Sequence, residues 1–390
     1  MYNIEKKRHR GYRKDIDLTG SLNQGSISAS FFEVHDPSSN PDYITIDLDS
    51  QIISNITLRE DCLVDIKEKP DNLRIKSQCF TNIRHRLLGN PLDDGEFATS
   101  YRFKEWARKR LKLGPDRIDF GWTIDRQEIK LTKATTRGEG LVTLEDGLKV
   151  NVEIDFASLF MLNFTHPLTK QFQKRTKYDL PYDLTSRSYV MAKTSHEEKH
   201  NINSTEWSHS FSFIEDYIFT EIFSNTHKLI HLICKSIFKR ELAPLDGDKM
   251  TSYIIKTLIL WRFENKTFDD WDWENQSKIW KEVRLLYMDF VDVLEKGFLP
   301  SYFVPQTNII KYLDNNLREK AIEKIQYILP NLQTLIGVEE IKTVNEHLET
   351  AGNLLSALKH CAVDLNIPPF PSDSDEKAMA LCFRWRTQKP

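Results

Sequence analysis

Cysteine is scarce in this chain: five residues in 390, at Cys62, Cys79, Cys234, Cys361 and Cys382. None falls in a CxxC pair and the number is odd. The sequence therefore indicates neither a disulfide framework nor a zinc site built from neighbouring residues. Long apolar runs are missing as well. The most apolar helix-length window, Tyr253 to Trp261, falls far short of the roughly 20 residues a membrane span needs. The basic run Lys6-Lys7-Arg8-His9-Arg10 has no apolar segment behind it, which argues against a signal peptide and for a cytoplasmic protein with no membrane partner. An excess of one charge is also lacking. Lys and Arg number 54 against 57 Asp and Glu, a net charge of -3, so any basic binding face must be local. No internal repeat is visible. What is present, 40% hydrophobic and 28% charged residues, suits one large or two medium folded domains.

The two halves carry different periodicities. Between Asp42 and Phe160 apolar residues alternate in short runs, as in Tyr43-Ile44-Thr45-Ile46-Asp47-Leu48 and Val150-Asn151-Val152-Glu153-Ile154-Asp155-Phe156. Period two predicts half-buried strands. Tyr101 to Leu113 reads as a basic helix stopped by Gly114-Pro115. From about Trp207 the spacing becomes helical: Phe211, Ile214, Ile218 and Ile222, then Leu229, Ile233 and Ile237, then Ile254, Leu258 and Trp261, then Ile279, Val283, Leu286, Phe290 and Leu294. Ile341 through Leu355 continues the pattern. The polar segment Asp183 to Thr205 is the best linker candidate. These patterns predict an α+β fold, a mixed-sheet core lobe over residues 1–190 packed on an all-helical lobe over residues 205–390, with a cleft between them.

The most chemically loaded segment is Asp47-Leu48-Asp49. In a strand both carboxylates project from one face, where they repel unless a cation lies between them. Glu153 and Asp155 repeat the arrangement on a later strand. If the two strands are neighbours, the acids converge in a way that suits two divalent ions under a triphosphate. The plainer alternative is the solvent face of an edge strand. Upstream, Gly20-Ser21 forms a turn able to offer backbone N–H groups and a hydroxyl to phosphates. His227, His231 and Cys234 share helical spacing, but three ligands with no fourth nearby read better as structural residues.

Three ordered motifs in the second half carry a resemblance. Trp207-Ser208-His209-Ser210-Phe211-Ser212-Phe213-Ile214-Glu215 resembles the Trp-Arg-x-Ser-Phe-Ser-x-x-Glu signature of the Mab-twenty-one proteins, the superfamily of cyclic GMP-AMP synthase and the cGAS-like receptors. Thr251-Ser252-Tyr253-Ile254-Ile255-Lys256-Thr257 is similar to that family's Ser-Ser-Tyr-x-x-Lys-Thr helix, and Leu299 to Asn308 to its Leu-x-x-Tyr-Phe-Ile-Pro-x-x-Asn segment. The resemblance implies a metal-dependent nucleotidyltransferase that makes a cyclic dinucleotide second messenger from ATP and/or GTP with Mg²⁺ or Mn²⁺, in innate immune signalling. It implies catalytic, metal-holding roles for Asp47, Asp49 and Asp155, with Glu153 the alternative third acid. It also implies nucleotide binding by Gly20, Ser21, Lys235, Ser252, Tyr253 and Lys256. Tyr253 can equally be read as a core residue.

In cGAS-like receptors a basic face senses double-stranded nucleic acid. Arg102, Lys104, Arg108, Lys109, Arg110 and Lys112 crowd one short helix here, with Arg84, His85 and Arg86 before it and a second basic cluster over Lys6 to Lys14. Such residues give salt-dependent, sequence-independent binding to duplex RNA or DNA; a solvated helix face is the alternative. Trp106 reads as that helix's core anchor, and Asp269 to Glu274 as a helix start. Two departures from the family pattern support a second reading, a catalytically inactive binding or scaffold protein. Ser208 stands where the signature has Arg, and 19 residues precede Gly20 where family members carry a long helix.

Overall fold

A computed structural model describes residues 16–19, 43–80, 96–101, 117–118, 122–131, 136–143, 149–195, 197–198, 201–266, 268, 276–335, 362–365 and 383–386. Among the described residues, ten strands form one mixed sheet: β1 (Ile16–Thr19), β2 (Tyr43–Leu58), β3 (Leu63–Asp65), β4 (Asn72–Ile75), β5 (Arg117–Ile118), β6 (Trp122–Leu131), β7 (Thr136–Thr143), β8 (Lys149–Leu162), β9 (Tyr189–Met191) and β10 (Glu206–Ser210). β11 (Ala362–Leu365) and β12 (Phe383–Arg386) pair separately. Among the described residues, the helices of six residues or more are α1 (Pro167–Arg175), α2 (Ser212–Tyr217), α3 (Asn225–Glu241), α4 (Tyr253–Phe263), α5 (Gln276–Lys296) and α6 (Asn315–Ile328). The composition is mixed α and β, compatible with the expected α+β class.

The long strand β8 organises the sheet. One edge pairs with β2 in parallel along nearly its whole length, with one irregularity between Ser54 and Thr57. The other edge pairs antiparallel with β7 and then with β9. From β9 the sheet continues through β10 and β4 to β3. A parallel pair needs a long crossover rather than a hairpin, so its register is invisible to local pattern reading. Where the sheet meets its core, Leu58, Leu73, Ile75, Phe160, Val190 and Trp207 are buried together. Trp207 also donates its indole N–H to Ala98 O at 3.1 Å, satisfying the one polar atom of a fully enclosed ring.

Three sequence expectations change here. The polar segment Asp183 to Thr205 is no linker, because it contributes β9 to the sheet interior with Val190 fully buried; three alternating residues are too few to stand out. Trp207 belongs to β10 and not to a helix. Cys62 and Cys79 are joined in a disulfide, with Cα atoms 5.8 Å apart. They flank the β3–β4 hairpin, whose antiparallel register brings Leu63 opposite Ile75, so a 17-residue separation closes without any local motif.

The helical half packs around α4, a helix apolar on nearly every side. Ile254, Ile255, Leu258, Ile259, Leu260 and Phe263 are all buried, as expected for a helix enclosed by others. α2 does not continue as one α-helix over the predicted 211–222 stretch but gives way to a π turn at Ile218–Ile222. α5 ends at Gly297, whose φ of +63° lies in the left-handed region. Gly297 N–H bonds Leu294 O and Phe298 N–H bonds Val293 O, the pairing of a Schellman cap. α6 starts on Asp314, whose carboxylate accepts from Leu317 N–H at 2.9 Å. The amphipathic stretch Ile341 to Leu355, the expected basic helix beyond Tyr101 with Trp106, and the patch Asp269 to Glu274 lie outside the described residues. No described helix is long and apolar enough to cross a membrane.

Candidate functional site

The β2–β8 register sets Asp47 opposite Glu153 and Asp49 opposite Asp155. Positions two apart on a strand share a face, and so do direct cross-strand partners. The four acidic positions therefore form a two-by-two block on one face of the sheet. β7 extends both rungs, with Glu139 opposite Glu153 and Arg137 opposite Asp155; β6 adds Glu128 opposite Glu139 and Lys130 opposite Arg137. One rung is acidic across four strands. The other passes from acidic to basic. On the far side, Thr19 of β1 stands opposite Asp49, and the chain next enters Gly20 and Ser21, which lie outside the described residues. Like charges at directly paired positions are destabilising in themselves. Arg137 and Glu139 escaped the sequence reading because Arg137-Gly138-Glu139 has no strong alternation and its partners are set by long-range register.

On the helical side, three motif segments far apart in sequence touch one another. Phe211 stacks on Phe303 with ring centroids 4.8 Å apart and planes 6° from parallel. Glu215 accepts from Lys256 Nζ at 2.9 Å. Trp261 donates its indole N–H to Pro300 O at 2.9 Å. Asn308 ties its own loop together: its side-chain oxygen accepts from the Leu299 and Ile310 N–H groups, and its amide donates to Gly297 O. Tyr302 is fully buried and donates its hydroxyl to Glu264 at 2.8 Å. Much of what makes these motifs recognisable is thus interior hydrogen bonding.

The candidate nucleotide-binding residues divide between α3 and the start of α4. Ser252 immediately precedes α4, and its carbonyl accepts from Lys256 N–H at 3.1 Å. Tyr253 is partly buried. Its phenol is pushed up by burial, with the Glu215 and Asp71 carboxylates adding to the effect. Asp71 belongs to the sheet side of the chain, between β3 and β4. Lys235 lies buried on α3. One turn earlier, His231 is fully enclosed, its Nδ1 has no hydrogen-bond partner, and burial followed by the Lys235 and Lys256 cations holds it neutral. Two lysines are therefore gathered around a neutral imidazole, with Glu215 paired to one of them.

Ser208 fills its position structurally. Its hydroxyl donates to Lys193 O at 2.8 Å and accepts from the Asn72 side-chain amide at 2.9 Å, so it ties β10 to β4 and to the strand exit of β9. His227 and Cys234 have structural roles too. His227 completes a capping box with Ser224, bonds Lys266 O at 3.1 Å and stacks on Phe223, while burial pushes the Cys234 thiol up. The proposed nucleic-acid residues Arg102, Lys104, Arg108, Lys109, Arg110 and Lys112 lie outside the described residues, as do Arg84, His85, Arg86 and the cluster Lys6 to Lys14.

Compared with known families, residues 225–327 match the family described as Mab-21 protein HhH/H2TH-like domain. No curated protein sequence matches the chain. The matched stretch runs from the first turn of α3 almost to the end of α6 and contains the second and third motif segments, whereas the acidic rungs and the Trp207 signature precede it. Residues 225–327 are thus similar to the helical domain of the Mab-21 proteins, a nucleotidyltransferase-like family.

Proposed function

We propose that the protein is a metal-dependent nucleotidyltransferase that joins ATP and/or GTP into a cyclic dinucleotide when double-stranded nucleic acid binds it. The observation that carries this reading is the pairing of Asp47 with Glu153 and of Asp49 with Asp155 on neighbouring parallel strands, in a chain whose residues 225–327 match a Mab-21 helical domain. Asp47, Asp49 and Asp155 would hold the ions, and Glu153 stands ready as the alternative third acid. Bound Mg²⁺ or Mn²⁺ supplies charge neutralisation on a triphosphate and a lowered pKa for a ribose hydroxyl. Gly20 and Ser21, directly after the β1 position opposite Asp49, would hold phosphate through N–H and hydroxyl donors. Lys235 and Lys256 add positive charge on the helical side, Glu215 fixes Lys256, and Tyr253 offers a ring face to a base. In each transfer a ribose oxygen bonds to an α-phosphorus and pyrophosphate leaves. The chain's own contribution is positioning and charge, with no covalent intermediate.

Ser208 favours a second reading. A hydroxyl committed to Lys193 and Asn72 cannot replace a guanidinium that stacks on a base or pairs with phosphate, as a scaffold with no catalytic role would tolerate. Incubation with labelled ATP and GTP, Mg²⁺ or Mn²⁺ and duplex RNA or DNA distinguishes the two. The enzyme yields pyrophosphate and a phosphatase-resistant product, whereas the scaffold binds nucleotide and releases none.

A further inference from the structure

Away from the acidic rungs, three side chains from separate elements converge at the β3 end of the sheet. Asp65 closes β3, His209 lies in β10, and His166 immediately precedes α1. His166 Nε2 is 3.3 Å from Asp65 Oδ1, and His209 Nε2 is 3.8 Å from the same oxygen. One ligating atom from each residue can be chosen so that all lie within 4.8 Å of one another, the only such His/Cys/Asp/Glu group among the described residues. The imidazoles are 6% and 4% exposed while the carboxylate is 61% exposed, so the trio has two buried nitrogen donors and one oxygen donor open to solvent.

We propose that Asp65, His166 and His209 bind a Zn²⁺ ion. At zinc–nitrogen distances of about 2.0–2.1 Å, tetrahedral ligand atoms stand roughly 3.3 Å apart, close to the two separations found here. The second observation is an orphan: the buried Nε2 of His209 has no hydrogen-bond partner, since 3.8 Å is too long for one. A buried imidazole nitrogen left unpaired is costly, and an ion seated between it and Asp65 satisfies it. The set of two imidazoles and one carboxylate suits Zn²⁺ and leaves a fourth position for water on the exposed side. The ligands are already held in place. His209 N–H bonds Asp71 O at 3.0 Å, and His166 N–H bonds the Ser188 hydroxyl at 2.9 Å. Without metal, His166 Nδ1 accepts from Leu168 N–H at 3.3 Å, which leaves the ring proton on Nε2 facing Asp65. Binding moves that proton to Nδ1 and gives up this long cap bond. The ion would pin β3, β10 and the start of α1 to one another, independently of whether the protein transfers nucleotides.

The test uses the full chain, freed of any affinity tag, stripped with a chelator and dialysed against micromolar Zn²⁺ before metal analysis. Wild type should retain close to one zinc per chain above the content of Asp65→Ala. Titration should give an affinity at least about tenfold weaker in Asp65→Ala and in His209→Gln. Co²⁺ loading should give the visible absorption bands of tetrahedral coordination in wild type alone. Asp65 is exposed, so its variant decides the matter even if His209→Gln does not fold. Failure of wild type to retain zinc overturns the proposal, as does retention by Asp65→Ala with wild-type affinity.

Discussion

Arg175, the last residue of α1, is held by four groups from two distant segments. Its guanidinium lies 4.4 Å from the Trp261 ring and 4.8 Å from the Tyr302 ring. It donates to Tyr302 O at 2.5 Å and to Glu264 at 3.3 Å. Because Glu264 is buried, losing its cation leaves a carboxylate with fewer partners in a poorly solvated site. Arg175→Met should lower stability by roughly 1–3 kcal/mol, read as a lower urea midpoint at unchanged slope. His231 gives a pH signature. Its folded pKa lies well below the ordinary 6.5, so below about pH 6.5 the unfolded chain takes up a proton that the folded chain refuses, and stability falls as pH falls. Between about pH 7.5 and 5.5 wild type should lose about 1.4 kcal/mol more than His231→Gln, measured by denaturant titration at both pH values. At this scale the sequence disclosed residues whose types recur in ordered motifs, such as Glu215, Lys256 and Asn308. It did not disclose Arg175, His166 or Asp65, whose partners lie far away in the chain and share no spacing rule.

Elements were legible in proportion to their length and amphipathicity. The helical spacing of Ile279, Val283, Leu286, Phe290 and Leu294 matches α5, and the alternation of Val150 to Phe156 matches β8. β9 stayed hidden because three residues inside a polar stretch carry no period, and α2 could not be told from the π turn that follows it. The β3–β4 hairpin was hidden in a different way, since its closure by Cys62–Cys79 depends on register. That disulfide stabilises chiefly by restricting the unfolded chain. For a loop of this length the contribution is about 3 kcal/mol. Cys62→Ser with Cys79→Ser, or a strong reductant, should therefore lower the thermal midpoint by several degrees. Unchanged melting after verified reduction would contradict this assignment.

Across the whole molecule, the candidate catalytic arrangement depends on a parallel pairing between strands about a hundred residues apart. Period two in the sequence indicates which acids share a face within each strand; it cannot say that β2 and β8 are neighbours, nor that Arg137 and Glu139 line up beside them. If that block holds divalent ions, neutralising part of it removes activity without unfolding the sheet, because like charges at paired positions cost stability rather than supply it. The decisive measurement is pyrophosphate release by wild type, Asp47→Asn with Asp49→Asn, and Asp155→Asn, each folded and each given ATP, GTP, Mn²⁺ and duplex RNA or DNA. Turnover by wild type that drops to background in both acid variants is the predicted result. Equal release by all three proteins, or none from wild type with any duplex, would contradict the account.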